Sequence, residues 1–195
     1  MPPRDARNYL YLSLDGIDQF SEDQVAVFLS LIPCWFSKIS ASGTFTKHRP
    51  LVLQFLAKHL SSPYIQDVTL HEDIGLSLKN LAKKLEEHVT TFIKSGNVAR
   101  FHCDFSLSIE FGRTLHSMMM QLKSPMTASV ACHLSDGLEA VEDILCKGSV
   151  QDRRSRSPAY LRNSNGLLHE MGCRTKGDKT FMFIHSSLFK SWGIS

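Results

Sequence analysis

The chain has no apolar run of membrane length. Its longest, Val25 to Phe36, is about a dozen residues and is interrupted by Pro33, which suits a core rather than a bilayer. It has no Asn-x-Ser/Thr sequon, no Cys-x-x-C pair and no recognisable signal peptide, and its five cysteines (Cys34, Cys103, Cys132, Cys146, Cys173) are odd in number and widely spaced. These absences argue against a secreted disulfide scaffold and for a reducing intracellular location, cytoplasmic or nuclear, with the cysteines as small buried hydrophobes. Also missing are a phosphate-binding loop, a G-x-G-x-x-G turn, an H-E-x-x-H helix and a G-x-S-x-G elbow. No catalytic residue, cofactor or metal is therefore expected, and an enzyme is disfavoured.

What is present describes one globular domain over residues 1–195, with 43% hydrophobic and 21% charged residues. The net charge of +3 is small, but it is unevenly spread. From Lys147 to Lys179 there are eight Lys/Arg against three Asp/Glu, so the remainder of the chain is slightly acidic.

The clearest local pattern predicts a long amphipathic helix over residues 70–95. Thr69 and Glu72 read as a capping box, and Ile74, Leu78, Leu81, Leu85, Val89 and Phe92 form one stripe. Ser95-Gly96-Asn97 supplies the stop. The period then changes. Phe101, Cys103, Phe105, Leu107, Ile109 and Phe111 alternate with polar residues, which predicts a strand; Gly112-Arg113 suits a two-residue hairpin turn, setting Phe111 against Thr114 and Cys103 against Leu122. With a third strand from Thr127 to Leu134, the expectation is an antiparallel meander over 99–134.

Elsewhere, Asn8 to Leu14 alternates as a strand, and Ser21 with Gln24 forms a capping box for a helix that Pro33 closes. A short strand is expected around Trp35 to Ile39, then a turn at Ser42-Gly43. Pro50 opens a helix to Leu60, with a strand over 51–55 as the alternative. Ser135 caps a helix over 137–147, residues 149–165 read as a mobile basic loop, and Leu167–Cys173 with Thr180–His185 forms a C-terminal hairpin. A last helical turn, Ser186 to Trp192, docks Leu188, Phe189 and Trp192. The expected fold is α+β, a mostly antiparallel sheet packed against the long helix and further N-terminal helices.

Several groups carry candidate chemistry. Cys103, His116 and Cys132 share the inner face of the expected meander, but they lack zinc-motif spacing, so core packing is favoured. Asp136, Glu139, Glu142 and Asp143 gather on one helix without a Glu-x-x-His partner, which suits a solvated face. Arg153, Arg154 and Arg156 flank Ser155 and Ser157, a run compatible with an import signal, a phosphosite, a phosphate or nucleic-acid contact, or a solubilising linker. Arg162, Arg174, Lys176 and Lys179 extend that basic region. Leu115 and Met119 fall on the outer face of the expected meander, where a protein partner is expected to make contact.

Leu10-Tyr11-Leu12-Ser13 and the Ser-Glu-Asp helix start after it resemble the opening of an RNA-recognition motif, over about thirty residues. The resemblance implies that Tyr11 stacks on a base. Leu14-Asp15 departs from the motif's usual Asn-Leu, and its second signature would fall on His48-Arg49-Pro50-Leu51. Two functions are therefore expected in order: a non-catalytic protein-interaction or assembly protein, a role that also suits a small viral protein, and an RNA-binding protein using the 147–179 region.

Overall fold

The computed structural model describes residues 8–95, 98–103, 108–121, 127–130, 159–162, 167–176 and 179–188. The first strand, β1 (Tyr9–Ser13), leads into helix α1 (Glu22–Leu31). The Ser21 hydroxyl accepts from the Gln24 backbone N–H, and the Gln24 side chain accepts from the Ser21 N–H, so the capping box is complete. Ile32 leaves the helix in an extended conformation, as the residue before a proline must. Next come β2 (Lys38–Ser42) and α2 (Arg49–Leu60), whose first turn holds Pro50. The helical rather than the strand reading of 51–55 holds.

Strand β3 (Asp67–Leu70) precedes α3 (Glu72–Leu78), a tight turn at Lys79–Leu81, and α4 (Ala82–Lys94). The expected single helix is thus broken, and its cap is His71 rather than Thr69. Thr69 is committed to the sheet, where it pairs with Ser40 and His102.

Beyond this point the expected meander is wrong. Strand β4 (Arg100–Cys103) is followed by a helix, α5 (Ile109–Met119), and then β5 (Thr127–Val130), which lies parallel to β4. Gly112-Arg113, expected as a hairpin turn, sits inside α5. Ser108 caps that helix: its hydroxyl accepts from the Phe111 N–H at 3.1 Å and is itself held by the Glu86 carboxylate. Phe111, Leu115 and Met118 supply the buried helical stripe.

Strands β1 to β4 are all parallel, which overturns the mostly antiparallel sheet expected from sequence. Antiparallel pairing enters only at the far side, where β8 (Lys179–Leu188) pairs with β5 and β7 (Leu167–Lys176), and β7 with β6 (Ala159–Arg162). Residues Ser186–Leu188 prolong β8 instead of beginning a helical turn. The sheet order is β1-β2-β3-β4-β5-β8-β7-β6.

A parallel sheet whose strands lie side by side in chain order has a consequence. Crossovers of one hand place every connecting helix on the same face. Burial agrees: Leu12, Ile39, Ala41, Val68, Leu70, Phe101 and Cys103 alternate along the strands and are all buried on that face. The helices form a second layer in the strands' own order, α1 against α2, α2 against α4, and α4 against α5. The core between the layers contains Phe92 and Phe101, whose rings meet edge to face at 6.4 Å. Leu10, Ile39, Val68, Phe101 and Ala128 are register partners, 29, 29, 33 and 27 residues apart in turn. From β1 to β5 the chain is therefore a row of βα units laid side by side, in the manner of a solenoid.

Candidate interaction surface

The other face of the sheet has no helix over it among the described residues. Alternate residues of each strand stand there, and parallel or antiparallel register partners share a face. One row crosses all eight strands: Tyr9, Lys38, Asp67, Arg100, Thr127, His185, Glu170 and Tyr160. A second row runs Tyr11, Ser40, Thr69, His102, Ser129, Phe183 and Gly172. The alternation that buries leucine and valine beneath the helices thus reserves this face for polar and aromatic residues.

Where side chains are described, the surface is partly pre-organised. The Lys38 ammonium lies 3.0 Å from the Asp67 carboxylate across neighbouring strands. Ser40 is buried, with its hydroxyl 3.0 Å from His71 Nε2. Tyr9 and Tyr11 are more than half exposed, and the Tyr11 hydroxyl lies 3.3 Å from that of Ser42. Arg100 is exposed.

The register also gathers residues from distant parts of the basic region. Arg162 on β6, Arg174 and Lys176 on β7, and Lys179 on β8 occupy positions of this same face. Together with Lys38 and Arg100 they make six Lys/Arg positions there, against two acids, Asp67 and Glu170. A chain of net charge +3 thus concentrates more than its whole surplus on the strand positions of one face.

The loops at the carboxyl ends of β1 and β2 are held by carboxylates. Asp15 accepts from the Thr44 N–H at 2.9 Å and from its hydroxyl at 3.2 Å. Asp18 accepts from the Thr46 N–H and hydroxyl at 2.7 and 2.8 Å and from the Lys47 N–H at 3.1 Å. The Thr44 backbone and side-chain bonds, helped by Ser13, lower the Asp15 pKa against a smaller burial effect. At Asp18 burial pushes the pKa up, but the Thr46 and Lys47 hydrogen bonds, with the nearby His48, outweigh it and the net shift is downward. The turn between them needs Gly43, whose φ of 121° is left-handed and whose absent Cβ would lie 2.7 Å from the Leu14 nitrogen. These aspartates hold the loop in place.

A second feature lies at the β1 edge. Ser13, Leu14, Asp15, Ile17, Phe20, Gln24, Val25 and Phe28 line a cavity of about 390 Å³ between that edge and α1. Beside it Phe20, Val27, Phe28 and Leu31 are exposed, Leu31 at 76%.

The residues singled out in the sequence fare differently. Leu115, expected on an outer face, is fully buried on the inner stripe of α5, because the segment is helical and not a strand. Met119 ends α5, and Leu188 ends β8 opposite Leu167. Arg153, Arg154, Arg156, Ser155, Ser157, Phe189 and Trp192 lie outside the described residues, as do Cys132, the acidic residues at 136–143 and the helix expected over 137–147. Cys103 is buried on the helix-covered face, and His116 lies on α5. No group of three metal-ligating side chains occurs among the described residues. The resemblance to an RNA-recognition motif does not extend to the fold, because His48-Arg49-Pro50-Leu51 opens α2 instead of forming a strand. Tyr9, Tyr11, Lys38 and Arg100 were not singled out as surface candidates together. The 29-residue spacing from β1 to β2 and from β2 to β3 was the available signal, and it does not extend to the strand of Arg100, 33 residues beyond Asp67.

Comparison with protein-family models, curated proteins and solved structures finds no match to this chain. Fold and surface define its class from within: a single-wound βα sheet with one face that no helix covers among the described residues. Among the described residues no helix is long and apolar enough to cross a membrane.

Proposed function

We propose that this is a non-catalytic, intracellular protein-interaction or assembly protein that binds its partner on the uncovered sheet face. The supporting observation is the collection, on the strand positions of one face among the described residues, of six Lys/Arg with Tyr9, Tyr11 and Tyr160 against two acids. Tyrosine and arginine give large contact area and directional hydrogen bonding at modest entropic cost, which is why they dominate interface energetics. The positive surplus selects a partner with an acidic surface and speeds the encounter. Solenoid-like sheets commonly bind on their extended open surface.

A second reading, RNA binding, is favoured by one specific observation. Phe181 and Phe183 fall on the same face as Arg174, Lys176 and Lys179, and aromatic platforms beside cations suit single-stranded nucleic acid. One experiment separates the two. Purified chain is used to capture protein partners and, separately, is titrated with mixed-sequence single-stranded RNA at low and near-physiological salt, each with the wild type and with an Arg100→Glu/Lys176→Glu variant. Capture of a protein that the variant loses supports the interaction reading. Tight RNA binding that collapses with salt and in the variant supports the second. If neither ligand discriminates between wild type and variant, the open face is not the site.

A further inference from the structure

The two outer edges of the sheet are complementary, and we infer that copies of this chain associate head to tail, β1 of one copy adding to β6 of the next. The inference concerns the sheet's edges, whereas the open-face reading concerns its face; Tyr11, Arg162, Arg174, Lys176 and Lys179 enter both.

Strand β1 is an edge strand among the described residues. Leu14 donates its N–H to Ser42, and the Asn8 carbonyl accepts from Ser37 and Lys38, so even-numbered residues face β2. By alternation, the N–H and C=O groups of Tyr9, Tyr11 and Ser13 point away from the sheet, a row of donors and acceptors ready for another strand. Phe20 and Phe28, which line the 390 Å³ cavity, and Val27 and Leu31 on the same helix as Phe28, are exposed large apolar residues. Residues 8–37 hold Asp15, Asp18, Glu22 and Asp23 and no Lys, Arg or His. Asp15 and Asp18 are engaged by the Thr44–Lys47 loop, which leaves Glu22 and Asp23 at the start of α1 as the exposed acids beside this edge.

At the opposite edge stands β6. Its hairpin neighbourhood has the reverse balance, since β6, β7 and β8 together carry Arg162, Arg174, Lys176 and Lys179 against Glu170 alone. The face patterns also match. Leu10 and Leu12 on β1 share the helix-side face, as do Ala159 and Leu161 on β6 by register, while Tyr9, Tyr11, Tyr160 and Arg162 share the open face. A β1–β6 junction in the matching register keeps one apolar and one polar face continuous from copy to copy. A two-fold β1–β1 pairing would instead set acids against acids. Contact between unlike edges is heterologous and does not close on itself unless the rotation forms a ring.

Sedimentation velocity on the full chain over a concentration series, at low and near-physiological salt, tests this. The expected result is a mass that grows past dimer with concentration and falls with salt. Tyr11→Pro removes an outward N–H together with the ring whose hydroxyl lies 3.3 Å from that of Ser42, and Phe28→Asp alters an exposed residue. Each is expected to weaken association roughly tenfold or more while leaving the circular-dichroism spectrum unchanged. Leu31→Lys serves if either fails to fold. Arg162→Glu spoils the opposite edge. Mixing it with Tyr11→Pro restores one intact edge of each kind and is expected to give a 1:1 complex that neither forms alone. A monomer at all concentrations, a dimer that stops at two or strengthens with salt, or edge variants that associate like wild type would each overturn the inference. Phe28→Asp and Leu31→Lys lie on α1, off the open face, so association lost in them with open-face binding intact separates the two readings, whereas Tyr11→Pro and Arg162→Glu alter both surfaces.

Discussion

The two faces of this sheet are made from the same strands and obey different rules. On the covered face Val68, Leu70, Phe101 and Cys103 are sealed beneath helices, and each substitution there acts through packing. On the open face Tyr11, Lys38 and Arg100 meet solvent, and in the function proposed above they serve recognition. One strand such as Arg100–Cys103 alternates buried and solvent-facing residues, and the contrast teaches that stability and the proposed binding are separable at single-residue spacing.

The largest expected effect breaks the covered face. Phe101→Ala removes a fully buried ring in edge contact with Phe92 and should cost about 3–5 kcal/mol, read as a lower urea midpoint at unchanged slope. Gly43→Ala should follow at about 1–3 kcal/mol or more, since its φ is left-handed and the new methyl meets the Leu14 backbone. Acidification sharpens the same side of the comparison. His59 is buried in α2, with Nδ1 2.9 Å from the Phe55 carbonyl and Nε2 3.2 Å from that of Pro33. Burial lowers its pKa although those carbonyls oppose the shift, so the unfolded chain binds the proton more readily. Stability is then full above about pH 6.5, the ordinary histidine value, and is lost as pH falls through it toward the lowered pKa. His59→Phe should flatten that slope in a urea series across pH. At the small end, Arg100→Ala on the open face should change stability by less than about 0.5 kcal/mol while weakening partner binding; equal losses in both would erase the distinction.

His116 marks a limit of the covered face. Its Nε2 is buried without a hydrogen-bond partner among the described residues, and burial lowers its pKa. Apolar replacement of such a group tends toward neutral or stabilising.

Much of the local structure was legible. The Ser21 capping box, the Pro50 helix start and the strand pattern of Tyr9 to Ser13 are signals confined to a few residues, and each physical cause acts at that range. Phe101 to Phe111 misled because its alternation outlasts the strand: Phe111, Leu115 and Met118 fit a helix equally well, and the Ser108 cap decides it. Thr69 shows the converse, a capping residue claimed by a sheet ladder.

By itself, then, the sequence determined where chain segments turn, cap and expose alternate faces, because hydrogen bonds and sterics within a turn or two settle those matters. The parallel order, the single helical layer and the assembly of Lys38, Arg100, Arg162, Arg174, Lys176 and Lys179 on one face were decided only by tertiary structure. Strand neighbours such as Leu10 and Ile39 stand 29 residues apart, and their register is fixed by helices that must all bury one apolar stripe against the same side of the sheet.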